Sequence, residues 1–316
     1  MKVDLSPHYP QPAGAALLAA AMSERNPDRM RFVLDAYPSA LTAQLALSSS
    51  KSNRFADGPP AHIAIAQAWP NALTILFEAG DRFDTPHSKT GQTPLGYALM
   101  KGRLPLIEKL LTLGAGVNGT PPQNSPLSAL LGRSDREAAE ATPMMDALWK
   151  AGLDPWQMVS AKERILPLIQ AFFLFEQPRL ALQLLRYAPV PGVVLGKLDD
   201  FLQDWWASWG TGSMALHREL FDCLHEKCGT LPVSFFMEAF AYPGKAYSRG
   251  NSKLRDRVAT DLLQYCLRRC PDQMPTESEW KRLLKVCTPS FAAKLQAQLL
   301  DNAAPVASSR SLASRL

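Results

Sequence analysis

The run Gly91-Gln92-Thr93-Pro94-Leu95-Gly96-Tyr97-Ala98, with Leu110-Leu111-Thr112-Leu113-Gly114-Ala115-Gly116-Val117-Asn118 close behind it, constrains the fold more than any other part of the chain. Thr93-Pro94-Leu95 opens a short helix, because proline's fixed φ and missing N–H do least harm in a first helical turn. Gly114 supplies the left-handed cap on which a second helix stops. Val117-Asn118 starts the connection to whatever follows. Two short helices back to back carry an apolar face that the pair cannot hide by itself. Such a unit needs others of its kind stacked on both sides.

The neighbours are present. Upstream, Pro59-Pro60-Ala61-His62-Ile63-Ala64 and Ile75-Leu76-Phe77-Glu78-Ala79-Gly80 repeat the pattern. Pro60 to Gly80 is 20 residues, as is Pro94 to Gly114, and Pro60 to Pro94 is 34. Downstream, Ser125-Pro126-Leu127-Ser128-Ala129-Leu130 precedes Ala147-Leu148-Trp149-Lys150-Ala151-Gly152; that spacing is 26, which places six inserted residues within Gly132 to Ala141. Leu166-Pro167-Leu168-Ile169-Gln170-Ala171 and Leu182-Gln183-Leu184-Leu185-Arg186-Tyr187-Ala188 form a degraded fifth copy. At the front, Ala15-Ala16-Leu17-Leu18-Ala19-Ala20 and Met30-Arg31-Phe32-Val33-Leu34-Asp35-Ala36 read as a degenerate cap.

Residues 10–190 thereby resemble a stack of about five ankyrin repeats, whose period is about 33 residues. His62 stands where the family's motif has the histidine that hydrogen-bonds to the loop. Gly96 replaces that histidine one repeat later, so the bond is expected to be missing there. The resemblance implies an all-α, ankyrin-type helical-repeat solenoid and a binding module rather than an enzyme. In the family, contacts come from loop tips and the exposed end of the first helix of each pair. Those positions here are Lys89, Thr90, Gln92, Met100 and Lys101, with Gln67 one repeat earlier and Asn124 and Arg133 one repeat later. The expected partner is a protein. The Ala-, Leu- and Pro-rich irregular repeats look bacterial, a setting that suits a host-directed effector or an effector-neutralising immunity protein.

Composition bounds the remaining classes. A hydrophobic fraction of 47% is ample for a packed core. No run of 18 apolar residues exists, so no transmembrane helix is expected. Ala13 to Met22 is apolar, but Asp4 and a lone Lys2 make a poor signal-peptide start, and a first repeat helix accounts for it better. The five cysteines, at 223, 228, 266, 270 and 287, all lie in the C-terminal part. Cys266 and Cys270 fall one helical turn apart, a poor geometry for a disulfide. Free thiols in a reducing, cytoplasmic compartment are the expectation. A net charge of +5 is modest for 316 residues and does not mark a nucleic-acid protein.

Past Pro191 the repeat signature fades while helical periodicity continues. Leu198, Phe201, Leu202, Trp205 and Trp206 make one stripe, Leu216, Leu220, Phe221 and Leu224 a second, and Val258, Leu262, Leu263, Cys266 and Leu267 a third. Thr276 with Glu279 forms a capping box, and a last helix is predicted from Pro289 to Asn302. The expected division is a repeat domain over 1–190, additional C-terminal α-helices over 191–302, and a Ser-rich basic tail over 303–316.

The chemistry-bearing patterns are sparse. His217, Phe221, His225 and Cys228 share a helix face with Cys223 nearby, but Phe221 holds the position a helical metal clamp would need. No nucleophile elbow, zinc-protease helix, phosphate loop or dinucleotide fingerprint occurs. No catalytic residue, metal or cofactor is therefore expected. The basic run Lys245, Arg249, Lys253, Arg255 and Arg257, interleaved with Tyr242 and Tyr247, is the alternative site, suited to phosphate or nucleic acid. A solvated loop and helix start is the simpler account of it, because clustered Lys and Arg often form only a solubilising face. A novel enzymatic C-terminal domain is the third reading.

Overall fold

The computed structural model describes residues 13–47, 57–119, 125–131, 141–175, 177–187 and 214–228, with residues 265, 268, 278, 281, 293 and 297. The chain divides into two compact units, Met1–Ala171 and Phe172–Leu316.

The first unit is built from helix pairs. They are α1 (Ala13–Ser23) with α2 (Pro27–Ala36), α3 (Pro60–Ala66) with α4 (Pro70–Glu78), and α5 (Pro94–Met100) with α6 (Leu104–Thr112). A 3-10 helix, Pro126–Leu130, and α7 (Thr142–Lys150) come next in the chain. Then come α8 (Leu168–Leu174) and α9 (Pro178–Tyr187), with the boundary between the units falling inside α8. Prolines occupy the first turn of α2, α3, α4, α5, α6 and α7. The many prolines thus start helices rather than break them.

Within the first unit the leading helices pack in sequence, α1 on α3, α3 on α5, and α5 on the 3-10 helix; the trailing helices do the same, α2 on α4, α4 on α6, and α6 on α7. Two rows of stacked helices result, an ankyrin-type all-α repeat fold. The packing positions recur with the sequence period. Ala72, Leu73 and Leu76 of α4 reappear 34 residues later as Leu106, Ile107 and Leu110 of α6, then 38 residues later as Met144, Met145 and Leu148 of α7, and all are buried. Leu111, which the helical pattern places in the core beside Leu110, is only half-buried at the flank of this stripe.

Each trailing helix ends in the same way. Gly80, Gly114 and Gly152 have φ of +102°, +87° and +89°. The next amide reaches back five residues, from Asp81 to Leu76 O at 2.9 Å, from Ala115 to Leu110 O at 2.9 Å, and from Leu153 to Leu148 O at 3.1 Å. This satisfies a terminal carbonyl that would otherwise lack a partner. The loops inside the pairs use a second left-handed residue, Gly102 at φ +64° but Ala68 at +52° and Arg25 at +50°. A Cβ is disfavoured in that conformation. Ala68 is exposed, so Ala68→Gly is expected to raise stability by about 0.5–1 kcal/mol. A denaturant titration that shows no gain would contradict the strain.

Two short antiparallel hairpins accompany the helices. β1 (Leu45–Ala46) pairs with β2 (Asp57–Gly58), and β3 (Met158–Ala161) pairs with β4 (Arg164–Pro167). The second replaces part of the helix opening that Leu166-Pro167-Leu168 suggested; the helix begins at Leu168 instead. In the second unit, α9 packs on α10 (Met214–Cys228) and Arg186 pairs with Glu219. Leu216, Leu220, Phe221 and Leu224 form the buried face of α10, as their spacing predicts. The helices expected over 198–206, 258–267 and 289–302, the Thr276 cap and the tail 303–316 lie outside the described residues, apart from the single positions named above.

Candidate functional site

The loop between α4 and α5 carries Lys89, Thr90 and Gln92, and its construction can be followed residue by residue. Asp81 accepts the Phe83 amide at 2.7 Å. That bond turns the chain at Phe83, which sits at φ +58° with its ring buried and stacked on Phe77, centroids 6.3 Å apart. The chain then runs to a narrow tip. The His87 amide donates to Gln92 O at 2.8 Å, and the Gly91 amide donates to His87 O at 2.8 Å. Gly91, at φ +67°, closes the turn. Ser88, Lys89, Thr90 and Gly91 are exposed on it.

Beneath the tip lies an aromatic cluster. His62 on α3 is 1% exposed and His87 is 5% exposed. Their ring centroids are 5.2 Å apart, edge to face. The His87 ring stacks on Tyr97 of α5 at 5.9 Å with an 8° interplanar angle. His62 Nε2–H donates to Gln92 O at 2.9 Å, and His87 Nε2–H donates to Asp57 O at 2.8 Å. The Lys89 amide donates to His87 Nδ1 at 3.2 Å, which fixes His87 as the neutral Nε2–H tautomer. Gly58 makes room for this arrangement: a Cβ there would stand 2.8 Å from the His87 ring. Burial lowers the His62 pKa to about 4, against a smaller opposing contribution from the Gln92 bond, and His87 adds to the lowering. Burial also raises Asp81 and Tyr97 above their ordinary ranges.

The expected loss at Gly96 has a visible reason. A Cβ at Gly96 would meet Gln92 Oε1 at 2.5 Å and the Pro126 Cα at 3.3 Å. A side chain there would have to push the Gln92 side chain aside and shift the Pro126 backbone of the following unit by a few tenths of an ångström. Gln92 reaches across instead, its Nε2 donating to Ser128 Oγ at 3.4 Å. The Thr93 hydroxyl caps α5 by accepting the Gly96 amide at 3.3 Å.

The sequence-derived contact residues fall into distinct places. Lys89 and Thr90 stand exposed at the tip, with Lys89 ion-paired to Asp57. Gln92 is half-buried below them, its carbonyl shared by His62 and His87. Met100 and Lys101 are half-exposed at the end of α5, with the Lys101 ammonium 5.2 Å over the Tyr97 ring. Gln67 is half-buried, and its amide donates to Met22 O at 3.2 Å, tying α3 to α1. Asn124 and Arg133 lie outside the described residues, as do Lys245, Arg249, Lys253, Arg255 and Arg257. On α10, His217 and Cys223 are buried, and His225 is half-buried against Phe221 at 5.8 Å. Among the described residues no three His, Cys, Asp or Glu side chains converge on a metal-sized site. Among them too, no helix is long and apolar enough to cross a membrane.

Sequence reasoning missed the His62–His87–Tyr97 cluster. The three residues are spread over 36 positions, and only the stacking of two repeats brings them together. The available signal was His62 in the loop-bonding position of one repeat, with His87 in the loop it must reach.

Residues 90–119 match the family model of the ankyrin repeat. No curated protein matches the chain.

Proposed function

We propose that the chain, which carries an ankyrin repeat at residues 90–119, is a non-enzymatic binding module whose protein partner docks on the tip Ser88–Thr90 and the neighbouring end of α5 at Met100 and Lys101. One observation carries this reading. The loop is anchored from below by buried rings and shared carbonyls, while its outermost side chains are exposed and make only surface contacts, Ser88 to Gln44 and Lys89 to Asp57. A rigid base with an unburdened tip is the arrangement in which surface residues are free to specify a partner. A methionine beside a lysine gives an adaptable apolar contact with a charge at its rim.

Combined alanine substitution of Lys89, Thr90, Met100 and Lys101 is expected to leave the chain folded, at a cost of no more than about 2 kcal/mol, because substitutions away from the packed core shift stability by about 0.5 kcal/mol each. The same variant is expected to lose the partner that the native chain captures, read by affinity capture and mass spectrometry. Intact capture by this variant, with loss on neutralising Lys253, Arg255 and Arg257, would move the interaction to the C-terminal part. Within this reading the setting we favour is a bacterial effector or an immunity protein. A toxin gene beside the coding sequence would assign immunity.

A further inference from the structure

We propose that His62, held against His87, is a proton-operated latch on the loop from Asp81 to Thr93: the loop closes while the His62 ring is neutral, and its protonation releases it. This goes beyond the docking role and stands without it.

The geometry leaves no place for an imidazolium. Both rings donate through Nε2 to backbone carbonyls, Gln92 O and Asp57 O. A second proton must therefore go to Nδ1. At His62 the Nδ1 is buried and has no hydrogen-bond partner among the described residues, so a proton there would be a donor without an acceptor. The His87 ring, 5.2 Å away, offers it none, because its Nε2–H donates to Asp57 O and its Nδ1 already accepts the Lys89 amide.

The surroundings do not offset this. Asp57 on β2 is the nearby carboxylate, and it is already paired with Lys89 of the loop. On α5 are Tyr97 and Lys101, the latter stacked over the tyrosine ring. Arg103 donates to Ile65 O and Ala66 O, and Arg25 donates to Gln67 O, so both guanidiniums sit at the C-terminal end of α3. The only ionisable side chain on α4 is Glu78, which pairs with Arg31. α1 and β1 carry none. At the base of the loop, buried Asp81 is pushed up in pKa and favours closure in acid, so it opposes the latch rather than producing it. Two of the bonds that hold the tip, His87 N–H to Gln92 O and His62 to the same oxygen, converge on one atom. Loss of the His62 ring position removes half of what fixes that atom.

The test is amide exchange of the full chain, corrected for intrinsic rates, over a pH series. Between pH 7 and 5 the protection of the His87 and Gly91 amides should fall by about 20-fold or more relative to Ile107 and Leu110 of α6, as an imidazole with an ordinary value in the open loop requires. His62→Gln, which keeps a donor but does not titrate, should flatten that fall. If the α6 amides fall equally, or the loop amides do not fall, the latch is wrong. Should the variant fail to fold, imidazole nitrogen shifts of the native chain decide. The His62 ring should be the neutral Nε2–H tautomer at pH 7, and an Nδ1–H tautomer or a cation there overturns the proposal.

Discussion

Leu110→Ala is expected to cost about 2–5 kcal/mol, the range for emptying a packed leucine site. Leu110 is fully buried on α6, in the row where α4 packs on one side and α7 on the other. Its carbonyl also receives the Ala115 amide that ends the helix. The cavity would open between helices of three successive units, each of which depends on its neighbours for burial. The wall has little freedom to collapse, because Leu76 and Leu148 occupy the equivalent positions above and below in sequence and are themselves fully buried. Exchange of α5 and α6 amides through a urea series reads the loss locally, which matters in a chain of two compact units where a single unfolding midpoint is poorly defined. Leu111→Ala, one residue further on and half-buried, should cost distinctly less. Equal costs for the two would mean that the buried face of α6 is not the one described.

The row structure was legible in the sequence because its signals are local. Pro94 and Gly114 announce a helix start and a helix stop without reference to anything distant, and the same pair of signals at Pro60 and Gly80 returns the same geometry. Periodicity then supplies the packing, since Leu73 and Ile107 are equivalent before any contact is known. What the sequence concealed is decided between repeats. Gly96 reads as a lost hydrogen bond, yet it also lets the Pro126 backbone of the next unit and the Gln92 side chain come close to α5. Gln67 reads as a surface residue at a helix end, yet the Met22 carbonyl holds its amide. The β3–β4 hairpin escaped notice for a different reason. Its turn residues, Lys162 and Glu163, take φ of +47° and +65°, a conformation usually advertised by Asn-Gly or Gly. The Met158–Ala161 alternation lasts only four residues, too short to separate from a loop.

Between pH 7 and pH 4.5 the native chain is expected to lose about 2–3 kcal/mol of stability that a His62→Gln variant does not lose. The sign follows from His62 alone. Burial holds its folded pKa near 4, below the 6.5 of an exposed histidine. Between those values the unfolded state binds the proton and the folded state does not, so stability rises with pH across the window and falls on acidification. The contribution is complete above about pH 6.5 and levels off below about pH 4. At 1% exposure the ring is shielded from solvent screening, so the full shift counts. Asp81 works in the other direction. Its raised pKa means that the folded state takes up the proton first, and acid relieves a cost there. The native chain's own pH profile therefore mixes opposing slopes. Subtracting the His62→Gln profile removes Asp81, which is common to both, and leaves the histidine. Amide exchange of α3 and α5 through urea series at the two pH values gives the four free energies. Native and variant curves that fall in parallel would show that His62 is not held neutral by its burial, and the cluster beneath the tip would then lose its electrostatic basis.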